Sequence, residues 1–151
     1  MFLVKDSSLS REKRIQQFFI EDPSLSTLLA VIHFEWTVRR AVIALGTSPN
    51  VNIRTQLKSC HGHKAYKKIW QEEVFPKRGQ RLTEVVSNWD GLHKAFKLRH
   101  RLVHGVSNCG AEYARDRTSW AIDACQNIRG FCLKHDIDLD SRLPIRQQPR
   151  K

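Results

Sequence analysis

The sequence predicts an all-α protein, an antiparallel bundle of about four to five helices. Three observations predict it. Apolar residues recur at three- and four-residue steps through three long segments, Pro23 to Gly46, Leu82 to Gly105 and Ala111 to His135. Helix-start and helix-stop residues bound those segments, and the connections are short enough for antiparallel packing. No stretch alternates apolar and polar residues as a half-buried strand does, and no internal repeat is present.

The elements follow in chain order. Ser10 precedes "REKRIQQFFIED", a short helix with Ile15, Phe18 and Phe19 on one face. Asp22 then stands as N-cap, Pro23 at the first helical position and Gly46 as the stop of a long amphipathic helix. Its expected core stripe is Leu25, Leu28, Leu29, Ile32, Trp36 and Ile43. Thr47 to Asn52 is a turn-rich break, Ile53 to Ser59 a short helix, and "HKAYKKIWQEEV" (63–74) another, ended by Pro76 and Gly79. A single helix is expected from Leu82 to Gly105, then a loop "VSNCG", then a last helix with Tyr113, Trp120, Ala124, Ile128 and Phe131 on its stripe. The four tryptophans, Trp36, Trp70, Trp89 and Trp120, fit apolar stripes and are expected in the core.

With 151 residues, of which 40% are hydrophobic, the chain suits one helical domain over 1–137, followed by a basic, flexible C-terminal tail over 138–151. Lys and Arg number 26 against 15 Asp and Glu, a net charge of +11. That balance favours a polyanionic partner, nucleic acid ahead of a membrane surface. Phe2, Leu3 and Val4 are followed at once by Lys5 and Asp6, so no secretory h-region opens the chain, and no run approaches transmembrane length. Cys60, Cys109, Cys125 and Cys132 form no C-x-x-C pair, which suits reduced thiols and a cytoplasmic location. "CHGH" (60–63) gathers three metal-ligand types but has no second ligand pair at a zinc-like spacing, so a polar loop is expected there and no metal or other cofactor.

The stretch "FKLRHRLVHG" (96–105) breaks the apolar pattern of its helix. On a wheel advancing about 100° per residue from Leu82, the residues Leu82, Val85, Val86, Trp89, Leu92, Phe96 and Val103 fall within roughly 120°. His100 falls inside that arc, with His104 on one flank and Arg99 on the other. Burying such groups without partners costs several kcal/mol. Either the helix end protrudes into water, or the histidines are satisfied in the core, or cations simply suit the helix C-terminus, or the face lines a cleft that holds an anion.

Arg-x4-His at the end of a helix, with a polar residue directly after the Arg, resembles the signature of the HEPN ribonucleases (higher eukaryotes and prokaryotes nucleotide-binding). Arg99 and His104 match the motif, and His100 occupies the polar position. Arg54 to His61 and Arg129 to His135 also fit the spacing, but they lie in a short broken segment and at a fraying helix end. "HFEWTVRRAVIALG", "AYKKIWQEEV", "NWDGLHKAF" and "RHRLVHG" follow the order of elements in stand-alone prokaryotic HEPN proteins, over residues 10 to 135.

The resemblance implies a metal-independent endoribonuclease of the toxin or anti-phage defence type. It also implies a homodimer with a composite site, and an antitoxin or regulatory protein as a further partner. His104 would serve as acid and base, Arg99 would steady the phosphate, and His100 would orient His104 or touch RNA. Products would be a 2′,3′-cyclic phosphate and a 5′-hydroxyl. Secondary candidates are Glu35 and Arg39, spaced i, i+4 as an ion pair beside the cleft or on the surface; His33 reads as a partly buried spectator. Lys94, Lys97 and Arg101, with Lys64, Lys67 and Lys68, are candidates for the RNA backbone or members of solvated faces. The alternatives are a non-catalytic HEPN module that binds nucleotide or nucleic acid, or regulates a partner, and a structural bundle with a basic surface.

Overall fold

The computed structural model describes residues 6–105 and 109–147, so residues 106–108 of the predicted loop and 148–151 of the predicted tail lie outside it. Among the described residues every regular element is helical: α1 (Ser8–Glu21), α2 (Pro23–Leu45), α3 (Asn50–Leu57), α4 (His63–Glu73), α5 (Phe75–Arg78), α6 (Leu82–Val85), α7 (Trp89–Val103) and α8 (Ala111–Lys134). The all-α expectation holds, although the eight helices described exceed the four to five expected. None of these helices is long and apolar enough to cross a membrane. The chain forms two compact units, Met1–Glu35 with Asn88–Cys125 and Trp36–Ser87 with Gln126–Lys151, and the divisions fall inside α2 and α8.

In the first unit α1 starts one turn earlier than expected, because Ser7 and not Ser10 is the N-cap: the Ser7 hydroxyl oxygen accepts from Ser10 N–H at 3.2 Å. Asp22 caps α2 as the sequence predicts, with Oδ1 accepting from Leu25 N–H. The buried face of α2 differs from the predicted stripe. Ser26, Thr27, Ala30, Val31, His33 and Phe34 are buried, whereas Leu25, Leu28 and Leu29 are half-exposed and Ile32 is 48% exposed. Polar pairing with distant segments of the chain explains the difference. Thr27 Oγ1 donates to Ala114 O at 3.0 Å, Ser26 and Thr27 both meet the Thr118 hydroxyl, and His33 Nε2 lies 2.9 Å from Glu12 Oε2. Once bonded, these groups enter the interior at little cost, and the apolar ridge is left outside. His33 is therefore fully buried and engaged, not a partly buried spectator.

The second unit packs around Trp70, which is fully buried, rests against Phe131 and donates Nε1–H to Gln80 O. It is the one tryptophan of the four that is buried; Trp36, Trp89 and Trp120 are half-exposed. Gly79 ends α5 in the left-handed region at φ 79°, a conformation that favours glycine. Glu73 is buried and gathers the loop after α2: Oε1 accepts from Thr47 N–H and Ser48 N–H, and Oε2 accepts from the Ser48 hydroxyl at 2.7 Å.

Of the segment expected as a flexible tail, residues 138–147 are described. Leu139 and Leu143 are buried, and Arg146 closes the C-terminal end of α2 by donating to Ile43 O, Ala44 O and Ser48 O. The Ile43 and Ala44 carbonyls belong to the last turn of α2 and have no partner within the helix, so a guanidinium fork there is stabilising. Asn50 adds a two-way tie, donating to Arg146 O and Pro144 O and accepting from Arg146 N–H.

Candidate functional site

The motif stands on α7, whose start overturns the predicted continuous helix from Leu82. α6 ends at Val85, Val86 is extended (φ −81°, ψ 113°), and Ser87 donates N–H and Oγ–H to Asn127 Oδ1. Asn88 then caps a new helix, its Oδ1 accepting from Gly91 N–H at 2.9 Å. The signal was present: Ser-Asn followed by Asp90 in the first turn is a helix start. Restarting the helix resets the angular phase, so residues before Trp89 give no guide to the faces of α7.

Its buried face is Gly91, Leu92, Ala95, Phe96 and Leu98. Taking Ala95 as centre, Arg99 lies about 40° away, His100 about 140° and His104 about 180°. Burial follows this order: Arg99 is half-buried and both histidines are exposed. The expectation that His100 sits inside the apolar arc, and His104 on its flank, is thus corrected. Val103, placed in the same arc, is 66% exposed.

Arg99 is the most tightly held residue of the motif. Nη1 donates to Glu35 Oε1 of α2, and the guanidinium carbon lies 5.1 Å from the Phe96 ring centre, itself edge-on to Phe34 at 5.6 Å. Ion pair and ring together fix a planar donor fork at the boundary of core and solvent. His100 and His104 occupy successive turns, with ring centroids 4.3 Å apart and planes inclined by 58°. His104 is the C-cap, its N–H turned to His100 O and Leu102 O, and Gly105 follows at φ 68°. Cationic side chains at a helix C-terminus are favoured by its partial negative charge.

Lys97 and Arg101 are exposed on the last turns of α7, and Lys97 shares the face of His100 and His104. Lys94 instead pairs with Asp90 at 3.0 Å and leans towards Trp120. His93 falls on the same face, one element of the basic stripe that the motif spacing did not single out. The predicted Glu35–Arg39 pair is redrawn. Glu35 holds Arg99, while Arg39, in the second unit, donates to Tyr66 Oη, Leu57 O and Cys60 O at 2.8 to 3.1 Å. Arg39 thereby closes the end of α3, a structural task. Lys64, Lys67 and Lys68 are exposed on α4, where they line an open pocket with Arg81 and Glu72.

In the "CHGH" loop Cys60 is buried and its thiol donates towards Gln56 O at 3.5 Å; burial pushes the thiol up from its ordinary range. Among the described residues no group of three or more His, Cys, Asp or Glu side chains is placed to hold a metal ion. The chain matches no protein-family model, no curated protein and no solved structure.

Proposed function

We propose that the chain is a metal-independent endoribonuclease of HEPN type. The observation that carries this reading is Arg99, fixed between Phe96 and Glu35, at the same helix end as two exposed imidazoles. RNA brings its own nucleophile. The 2′-oxygen attacks the adjacent phosphorus, an imidazole of His104 takes the hydroxyl proton, and an imidazole returns a proton to the departing 5′-oxygen. The 2′-O–P bond forms, the P–O5′ bond breaks, and a 2′,3′-cyclic phosphate and a 5′-hydroxyl result. Imidazole titrates near neutrality and serves both proton transfers; the Arg99 fork stabilises the charge on the phosphoryl oxygens. His100 orients His104 or contacts the RNA.

A homodimer completes the site in this reading. Leu25, Leu28, Leu29 and Ile32 leave an apolar ridge on α2 in the unit that carries Arg99, which suits a second copy. The setting is a cytoplasmic toxin or anti-phage effector, with an antitoxin or regulatory protein as a further partner. A second reading, an HEPN module that binds RNA without cutting it, is favoured by the Glu35 carboxylate, which neutralises Arg99.

The test is incubation of purified protein with total RNA in chelator, with mapping of the cleaved ends. His104→Ala should slow cleavage by about 10²- to 10⁴-fold. Its melting temperature should barely move, because the side chain is exposed. Arg99→Lys should also fail, since a point charge cannot reproduce the fork. Binding without cleavage by the wild-type dimer would select the second reading.

A further inference from the structure

From the geometry of α7 we infer that His100 and His104 form a two-imidazole site for a late transition-metal dication, Cu²⁺, Ni²⁺ or Zn²⁺. The two residues are four apart, and the His104 N–H to His100 O bond at 3.2 Å closes the turn between them. Their ring centroids stand 4.3 Å apart. Rotation of two exposed side chains brings one nitrogen of each within the roughly 2.0–2.1 Å that zinc–imidazole bonds need. Both rings face solvent, so neither gives up a buried partner to bind. Imidazole nitrogen suits this part of the series, whereas Mg²⁺ and Ca²⁺ require oxygen donors. Because no third metal-binding side chain joins the pair among the described residues, water completes the coordination and the ion exchanges readily.

The histidines outside α7 are less suited. His33 is buried against Glu12, and His135 Nδ1 lies 3.4 Å from the Arg78 guanidinium, which repels a cation. In the Cys60–His63 loop the thiol is buried and held away from the thiolate that metals prefer. Lys97 and Arg101 flank the pair and weaken its affinity without blocking its lone pairs.

The consequence for activity rests on the ribonuclease reading. A nitrogen whose lone pair is given to a metal cannot take the 2′-hydroxyl proton, so these ions act as reversible inhibitors at the site. Arg99 keeps its partner Glu35 throughout.

The experiment titrates chelator-stripped protein with Ni²⁺ by calorimetry and with Cu²⁺ by electron paramagnetic resonance, reading nitrogen hyperfine structure. Wild type should bind one ion per chain with two-nitrogen character. His100→Ala and His104→Ala should each lose that binding at metal concentrations that saturate wild type, with far-UV circular dichroism unchanged. A His61→Ala/His63→Ala double variant and Cys109→Ser should bind as wild type does, and Mg²⁺ should give no signal. Binding that survives His100→Ala, or that disappears in the double variant or in Cys109→Ser, overturns the site, as does an absence of binding by wild type. RNA cleavage is read separately. If Ni²⁺ follows the histidine pair but RNA stays uncut without metal, the site stands and the ribonuclease reading falls. If RNA is cut and Ni²⁺ ignores the pair, the reverse holds.

Discussion

Arg99 and Glu35 pose a conflict between orientation and charge. The carboxylate holds the guanidinium in place, yet on the ribonuclease reading it also offsets the charge meant for a phosphate. If Glu35 acts by positioning, its two functions separate by substitution. Glu35→Ala releases the fork and should lower kcat by up to about 10²-fold, the scale of a misplacement of about 1 Å. Glu35→Gln keeps an acceptor and removes the charge, so kcat should stay within about tenfold of wild type and KM for RNA should fall. Equal loss in both variants would assign Glu35 a role through its charge. Glu73 illustrates the opposite balance. Burial pushes its carboxyl up, but the Ser48 and Thr47 donors and the nearby Arg146 outweigh that, and the net shift is downward. A carboxylate depressed in the folded state contributes stability that is fully present above its unfolded value, 4.5, and is lost as pH falls through the lower folded value. Urea unfolding at several pH values should therefore show wild type losing stability below about pH 4.5, and Glu73→Gln losing less over the same window while being less stable at pH 7.

Among the helices, what could be read beforehand was what is decided locally. The start of α2 at Asp22 and Pro23 and its end at Gly46 are chemical properties of a few adjacent residues, and they came out as expected. Which face of α2 is buried was not readable from periodicity. The hydroxyls of Ser26 and Thr27 find Thr118, 92 and 91 residues away, and only then does a polar face become an interior one. The same holds at the candidate site: Arg99 was singled out by spacing, but its carboxylate partner lies 64 residues away. Counting the phase of α7 from Leu82 runs across the break at Val86 to Asn88, and so puts the histidines on the wrong face. That break makes a prediction of its own at Gly91. Helix propensity alone says that Gly→Ala stabilises by up to about 1 kcal/mol. Here an added Cβ would stand 2.5 Å from Asn88 Nδ2, in the side chain that caps the helix, and 2.9 Å from Trp120 Cδ2. Gly91→Ala should thus destabilise, by about 1–3 kcal/mol as an overpacked site does, and thermal melting gives the sign directly. An increase in melting temperature would show that the Asn88 cap and Trp120 yield easily.

The charge of +11 belongs to the molecule as a whole and acts before any single contact does. A cationic surface attracts a polyphosphate from a distance, and binding releases the counterions condensed on it, so affinity falls with salt in proportion to the phosphates neutralised. The slope of log K against log salt is about −0.7 per phosphate for a single strand. If binding neutralises about six phosphates of the strand, the slope is about −4. Replacing Lys64, Lys67 and Lys68 by Gln should make that slope shallower by about 2 and weaken binding to different RNA sequences alike, because backbone contacts carry no sequence information. These residues are exposed on α4, so the fold should tolerate the change. Fluorescence anisotropy of a labelled single strand between 50 and 200 mM salt measures the slope. A slope unchanged by the triple substitution would place RNA elsewhere on the surface; a slope near zero in wild type would mean that the excess charge meets no polyanion at all.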